Sequence, residues 1–451
     1  MGYDFPEDFF DPPVERPLDW EADPDVRRAL DWCLSFISAD EWKRRRLAVA
    51  NRLYDAALGV IQADDKGKLY NQKDSFGWYL FLAEASLDHL GNYDPTYGSR
   101  VVPVFQSIGR NLETIKAIVG IEDRIRRALT NERAQPNGTL FELLVAACYA
   151  RAGGTVAFVP EQKGGSRTHD LDVHIGGVDY AVECKRMETG EYSERERQKM
   201  RELWQPCVAG INHARRSTLG NVEFFVPLDD VPSDHLIKLT HRYLASPKGE
   251  LRWEGQLSSG SFVNPDLGPL QKILETDILL IGATRFQELV SGRYQRNRSF
   301  LAATNVKLSD NPRYMDECDR AILLQWQSKS DRAISGKARD VIGKLVEAND
   351  QLPKGRRSIV HIGFEAVEGD DVEKVRYEKI IASTERFDPR GKHLEYVYCH
   401  YFVPESPPDQ SWAYDETTQL CPVRPEGPPP LDQPFLVLHP EAAQRSGPHW
   451  L

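Results

Sequence analysis

The chain's chemistry is concentrated between Thr168 and Arg186, in the run Thr-His-Asp-Leu-Asp-Val-His-Ile-Gly-Gly-Val-Asp-Tyr-Ala-Val-Glu-Cys-Lys-Arg. Gly176 and Gly177 separate two β-rich segments, and paired glycines supply the positive φ angles of a tight primed hairpin turn. That turn sets Ile175 opposite Val178, so Asp170 falls opposite Glu183, Asp172 opposite Ala181 and Thr168 opposite Lys185. Opposed side chains share a face and strands repeat every second residue, which collects Asp170, Asp172, Glu183 and Lys185 on one side. Leu171, Val173, Tyr180, Val182 and Cys184 take the other side and suit a core. Opposed like charges repel unless a counter-charge stands between them, and a divalent cation is the natural one. A site of few carboxylates suits Mg2+ or Mn2+, which keep waters and borrow oxygens from a substrate phosphate. Lys185 can then orient or deprotonate an attacking water, or offset charge in the transition state. The chemistry implied is metal-assisted hydrolysis of a phosphodiester.

Glu142 adds a fourth acid at the head of a helix that is apolar all round from Leu143 to Ala150. A carboxylate there is costly unless it is paired or bound to metal. Thr139-Leu-Phe-Glu142 also fits a capping box, which would make the glutamate structural. Asp172 is either a second metal ligand or a neighbour on the polar face, and His169 either contacts water and phosphate or is a solvated loop residue. Arg186, Arg195, Lys199, Arg215 and Arg216 lie in a locally basic stretch that could track a phosphate backbone, the alternative being a solvated helix face. Trp42-Lys-Arg-Arg-Arg46 and the arginines at 293, 296 and 298 are weaker patches of the same kind, and Lys354-Gly-Arg-Arg357 reads as a loop.

Phe141-Glu142 on a helix, Asp170 on a strand and Glu183-Cys-Lys185 thirteen residues on resemble the PD-(D/E)xK nuclease superfamily. The likeness spans residues 139 to 198. It implies an α/β fold, a restriction-endonuclease-like mixed central sheet flanked by helices. It also implies Asp170 and Glu183 as principal Mg2+ ligands, Lys185 as the catalytic lysine and Glu142 as the helical acid. His169 stands where the superfamily usually has proline, and Glu202 stands four residues after Gln198 where the RecB-like subgroup has tyrosine. The resemblance implies an endodeoxyribonuclease, serving restriction or anti-phage defence in a prokaryotic cytoplasm, with DNA as substrate and a homo-oligomer or a defence-system protein as partner.

The elements that must position these groups follow from periodicity. Residues 1–131 read as a helical N-terminal domain: Asp23-Pro24 caps a stripe of Val26, Leu30, Cys33 or Leu34, and Ile37, and a second stripe runs from Leu112 to Leu129. Residues 132–403 read as the nuclease-like domain, with a large insertion around 228–316. Within it, strands are expected at Thr155–Val159, Asn221–Pro227, Ser358–Glu365 and Leu394–Val403, and a helix at Gly336–Asn349. Ser193 to Glu196 reads as a capping box opening a charged helix that runs to about Asn212. Residues 404–451 read as a Pro-rich, mostly irregular tail.

The 451 residues, 41% apolar and 28% charged, describe a packed globular chain rather than a disordered or coiled-coil one. Its longest apolar runs fall far short of the roughly 18 residues that a membrane span needs. The acidic, Pro-broken start MGYDFPEDFFDPP lacks the pattern of an export signal, and Pro6 stands where a myristoylation signal wants serine or threonine. Seven cysteines without a CxxC pair point to a reducing compartment and away from structural zinc. A net charge of −11 supplies no global attraction to nucleic acid, so contact must be local. Two rival readings stand beside the deoxyribonuclease: a catalytically idle nuclease-like fold serving as a nucleic-acid-binding or assembly subunit, and a metal-dependent phosphoesterase acting on nucleotides or RNA.

Overall fold

A computed structural model describes residues 3–12, 22–59, 69–160, 168–432, 434–439, 441–442, 444–445 and 447–451. Met1, Gly2 and Pro13 of the amino-terminal segment read above lie outside them. The chain opens with helices α1 (Pro24–Leu34), α2 (Ala39–Ala57), α3 (Ser75–Leu87) and α4 (Pro95–Arg110). α1 begins as its residues predict: Asp23 accepts from the amides of Asp25 and Val26 at 2.8 and 3.1 Å, Pro24 follows, and Val26, Leu30 and Cys33 are buried. The second stripe is split into α5 (Leu112–Lys116) and α6 (Ile121–Thr130). Gly120, at φ +84°, makes the break, and the carbonyl of Val119 accepts from the Phe158 amide at 2.9 Å. The helical region thereby stitches itself to the edge of the first sheet.

Next come α7 (Pro136–Arg151), β1 (Thr155–Phe158), β2 (Leu171–Ile175), β3 (Val178–Arg186) and α8 (Glu191–His213). The chain then builds a second sheet from β4 (Thr218–Phe224), β5 (Glu250–Trp253), β6 (Ser258–Val263), β7 (Leu279–Leu280), β8 (Ser299–Leu308) and β9 (Tyr314–Ser328). Helices α9 (His235–Ala245), α10 (Gly268–Leu274) and α11 (Thr284–Ser291) lie among these strands. α12 (Asp331–Lys337), α13 (Ile342–Gln351), β10 (Arg357–Glu365), α14 (Asp370–Glu385), β11 (His393–Glu405) and β12 (Ala413–Pro422) complete the described elements.

The first sheet has the order β1-β2-β3-β10-β11-β12. β1, β2 and β3 form an antiparallel meander, β3, β10 and β11 run parallel, and β12 closes the far edge antiparallel to β11. One face packs on α7 and the N-terminal helices, so that Leu143, Val182, Tyr398 and Phe105 share a single cluster. The other face packs Val360 and Ile362 on Leu345 of α13 and Ile380 of α14. β10 is covered on both sides, so residues 358–364 are buried without a break, the polar Ser358 and His361 among them. The second sheet keeps separate cores, the larger shared with α8 through Met200, Leu203, Trp204 and Cys207.

Three expectations change. α8 starts at Glu191 with Gly190 at its cap, so Ser193 is a buried residue inside the first turn and Glu196 pairs with Lys337 at 3.1 Å instead of capping. Residues 336–349 are divided between α12 and α13. Part of the Pro-rich tail is sheet: β12 pairs with β11 over its whole length.

β10 and β11 bury two histidines, His400 with Glu416 Oε1 4.0 Å away. His361 meets Tyr149 Oη at 2.9 Å and His400 at 3.0 Å, and His400 meets Thr418 at 3.3 Å. Burial holds both rings below the ordinary histidine range, His400 at about 3 with Arg186 adding to the effect. The unfolded chain takes up protons near pH 6.5 and the folded one does not, so acid favours unfolding below that pH. Each histidine then steepens the loss of stability by up to about 1.4 kcal/mol per pH unit. Urea midpoints measured at pH 7 and pH 5 will fall further apart in the native protein than in His400→Gln, and equal slopes would show that His400 titrates normally.

Candidate active site

Gly176 and Gly177 adopt φ of +59° and +77°, the turn that joins β2 to β3. Pairs run from Ile175 with Val178 to Leu171 with Val182, the register read from the sequence, with Asp172 opposite Ala181. The ladder ends one step short of Asp170. There the Asp170 amide donates to the Val182 carbonyl at 3.1 Å rather than reaching Glu183, and Asp170 Oδ2 accepts from the Cys184 amide at 2.8 Å. Asp170 therefore lies just off the end of β2, pinned to β3 by its own carboxylate.

Glu183 and Lys185 share a face of β3, and the Lys185 ammonium donates to Glu183 Oε1. Glu183 is fully buried, and its Oε2 has no hydrogen-bond partner among the described residues. Glu142 arrives from α7. Because α7 starts at Pro136 with Gln135 at its cap, Glu142 lies in the second turn and caps nothing, which removes the capping-box reading. Arg124 of α6 grips it instead with two bonds, Nε to Oε2 at 2.6 Å and Nη2 to Oε1 at 2.7 Å. The same guanidinium reaches Glu132 at 2.9 Å.

Glu142, Asp170 and Glu183 feel one another. Burial, then the charge of Asp170, pushes the Glu142 carboxyl up to about 7 against the pull of Arg124. Burial and then Glu183 push Asp170 up to about 7. Burial also lifts Glu183 to about 7, with Lys185 opposing and Glu142 adding. Three acids from α7, the β2 edge and β3, two buried and Asp170 half-buried, thus form one mutually repelling group with Arg124 and Lys185 as its cations.

Asp172 stands apart. Half exposed, it holds His169 Nε2 at 2.7 Å and Arg356 Nη1 at 2.6 Å. His169 is buried in that contact rather than solvated. The five basic candidates are dispersed. Arg186 is packed over Phe402 and faces Glu365 at 3.7 Å, while Arg195 is exposed beside Asp229. Lys199 is half exposed on α8, and Arg215 and Arg216 sit just past its far end, Arg216 over the Tyr243 ring. A 23-residue helix is roughly 35 Å long, so these do not make one compact patch. Of the weaker patches, Arg45 is buried on Asp74, Arg46 holds Glu84, and Arg298 holds Glu223.

Among the described residues no group of three or more His, Cys, Asp or Glu side chains is arranged to hold a metal ion, with Glu142 turned to Arg124 and Glu183 to Lys185. The donor set nevertheless fits a cation at Asp170 and Glu183: oxygen ligands, excess negative charge and a buried carboxylate oxygen without a partner. Arg124 and Arg356 are the partners that sequence reading missed. Both lie in segments read for other reasons, a core stripe and a loop, and nothing local marks which acid each would meet. Comparison with known proteins found no matching family model, curated protein or solved structure.

Arg124→Gln leaves the buried Glu142 without its cation and should cost about 3–5 kcal/mol of stability. Adding Glu142→Gln should restore most of that loss. Denaturant unfolding of the native protein, both single variants and the double variant checks the coupling, and additive losses would mean that the pair is not the clamp described.

Proposed function

We propose that the protein is a Mg2+- or Mn2+-dependent endonuclease of the PD-(D/E)xK type that hydrolyses DNA phosphodiester bonds. The observation that carries the reading is the trio of buried Glu142 and Glu183 with half-buried Asp170, and Lys185 two residues on from Glu183 along the same strand. The order of elements supports it: a helix bearing the first acid, an antiparallel three-stranded meander bearing the other two, then a parallel strand at the sheet's centre. No helix among the described residues is long and apolar enough to cross a membrane.

Asp170 and Glu183 are the residues that would hold the cation. When bound, it would polarise the scissile phosphate and acidify an attacking water. Lys185 carries a positive charge beside Glu183, suited to orienting that water or offsetting charge on the phosphorus oxygens. Arg124 neutralises Glu142 and sets how freely that carboxylate can turn toward the same point. Glu142 and Glu183 are buried and Asp170 and Lys185 half-buried, and such surroundings strengthen each of these interactions. A restriction or anti-phage role in a prokaryotic cytoplasm is what the superfamily resemblance adds.

The bidentate clamp on Glu142 also favours a second reading, an idle nuclease-like subunit in which Arg124 takes the place of a cation. Incubating plasmid DNA and RNA with the purified protein in Mg2+, Mn2+ or chelator separates the two. Metal-dependent cutting of DNA is expected, lost by orders of magnitude in Asp170→Asn and Lys185→Met and retained in large part in Asp172→Asn. Cutting that survives chelation removes the mechanism, RNA cleaved in preference to DNA turns it to the phosphoesterase reading, and inertness in every metal favours the idle subunit.

A further inference from the structure

We propose that the carboxyl ends of α8 and α9 form a docking surface for the phosphate backbone of duplex DNA, built from Arg215, Arg216, Arg242, Lys248 and Arg320. The two helices pack on the second sheet, where Leu203, Trp204 and Cys207 of one share a core with Leu236, Leu239 and Tyr243 of the other. Their ends meet. The Arg216 guanidinium lies 5.9 Å from the centre of the Tyr243 ring, and Tyr243 Oη donates to the Ser217 carbonyl at 3.3 Å. Arg320 of β9 donates to the Asn212 carbonyl at 3.0 Å, so a third element brings its cation to the same corner.

Cations without acids distinguish this corner. Residues 203–222 and 235–249 contain no aspartate or glutamate, although the chain has 68 of them and a net charge of −11. Elsewhere around the second sheet exposed cations are paired: Lys238, nearer the α9 start, holds Asp234 at 2.6 Å, and Lys307 holds Glu317 at 2.8 Å. Arg215, Arg242 and Lys248 are exposed, and none meets a carboxylate among the described residues. The acids at this end of the sheet are turned away or engaged. Glu250 lies on the face of β5 opposite Leu251 and Trp253, which pack with α8 and α9, and Asp266 caps the Gly268 amide at 2.9 Å. Asp319, beside Arg320, accepts from Asn305 at 3.4 Å.

Arg215 sits on a strained backbone. It follows the cap residue of α8 at φ +53°, a left-handed conformation for which glycine is the usual residue. The helix dipole favours a cation here, yet one in the preceding turn would serve without that strain. The surface fits a duplex rather than a single strand or a membrane. It carries no large exposed apolar side chain among the described residues, so nothing there stacks on an unpaired base or enters a bilayer. Guanidinium groups carried by three elements suit phosphates repeated along a backbone. α8 is roughly 35 Å long, near the length of one turn of B-DNA, so a duplex of two turns can reach from the α8 start to this corner. That the duplex is DNA rests on the endonuclease reading above, whereas the surface itself uses no residue of the acidic cluster.

The test is fluorescence anisotropy of a labelled duplex about two turns long, in chelator, so that no cleavage enters the readout. The native protein, Arg215→Gly, the double variant Arg242→Gln with Lys248→Gln, and Arg252→Gln are compared over a salt series, each with a native melting curve. Arg252 is exposed on the opposite face of β5 and controls for net charge alone. Glycine suits the backbone at position 215, which keeps that variant folded. Each phosphate contact removed should lower the slope of log K against log salt by about 0.9. At low salt Arg215→Gly should bind at least about threefold more weakly and the double variant at least about tenfold, with the control within about twofold. No binding by the native protein at about 100 µM, losses no larger than the control's, or equal affinity for single-stranded DNA or double-stranded RNA of the same length overturns the proposal. Patch-dependent binding by a protein that cuts nothing in Mg2+ supports this surface and removes only the nuclease reading.

Discussion

Three carboxylates cannot share a buried site as anions unless cations are brought to them. At an effective dielectric of about 20, two charges 4 Å apart repel by about 4 kcal/mol. Much of the local architecture here answers that constraint. Lys185 comes from the same strand as Glu183, whereas Arg124 must be carried in from the helical region. Its approach depends on the break at Gly120 and on the bond between Val119 and Phe158, which fixes α6 against the sheet. The helices before α7 are therefore part of the site's electrostatics and share the first sheet's core.

α8 joins the two halves of the molecule. Its first turn borders a cavity beside the first sheet, and its later turns bury Leu203, Trp204 and Cys207 in the core of the second. The second sheet forms between β3 and β10 in the chain yet lies outside the sheet those strands share. The region of the second sheet also meets the N-terminal helices directly, Arg313 Nη2 donating to the Tyr93 carbonyl at 3.0 Å and to Asp94 Oδ2 at 3.3 Å.

What was legible in the sequence was local. The paired glycines prescribed the hairpin and five residue pairs, because turn geometry and strand period suffice. Residues 358–365 were legible as the buried strand β10 from their mostly apolar content, and residues 394–403 as β11 from an alternating pattern, although β11 is buried along almost its whole length. The register failed beyond Leu171, at the expected pairs Asp170–Glu183 and Thr168–Lys185, because the Asp170 side chain bonds the opposing backbone in place of a ladder bond. The Ser193 capping box was misread, and the Thr139 alternative for Glu142 falls away, because serine or threonine followed by glutamate has the same pattern inside a helix as at its start. β12 was hidden by the prolines around it, and Arg124 and Arg356 by the fact that an ion pair between distant segments has no spacing to read.

The parallel pairing of β3 with β10 has a consequence for how the chain is made. During synthesis the β1–β3 meander leaves the ribosome with one edge of β3 unpaired, including the apolar residues Val182 and Cys184. Its partner appears only after the whole second sheet has been translated. A strand edge left open that long is a template for pairing with other chains. The acid-rich hairpin helps to protect it, since Glu183 and Lys185 put charge on the very strand that waits. Groups read above as chemistry thus also act, before the protein is complete, as guards against wrong association.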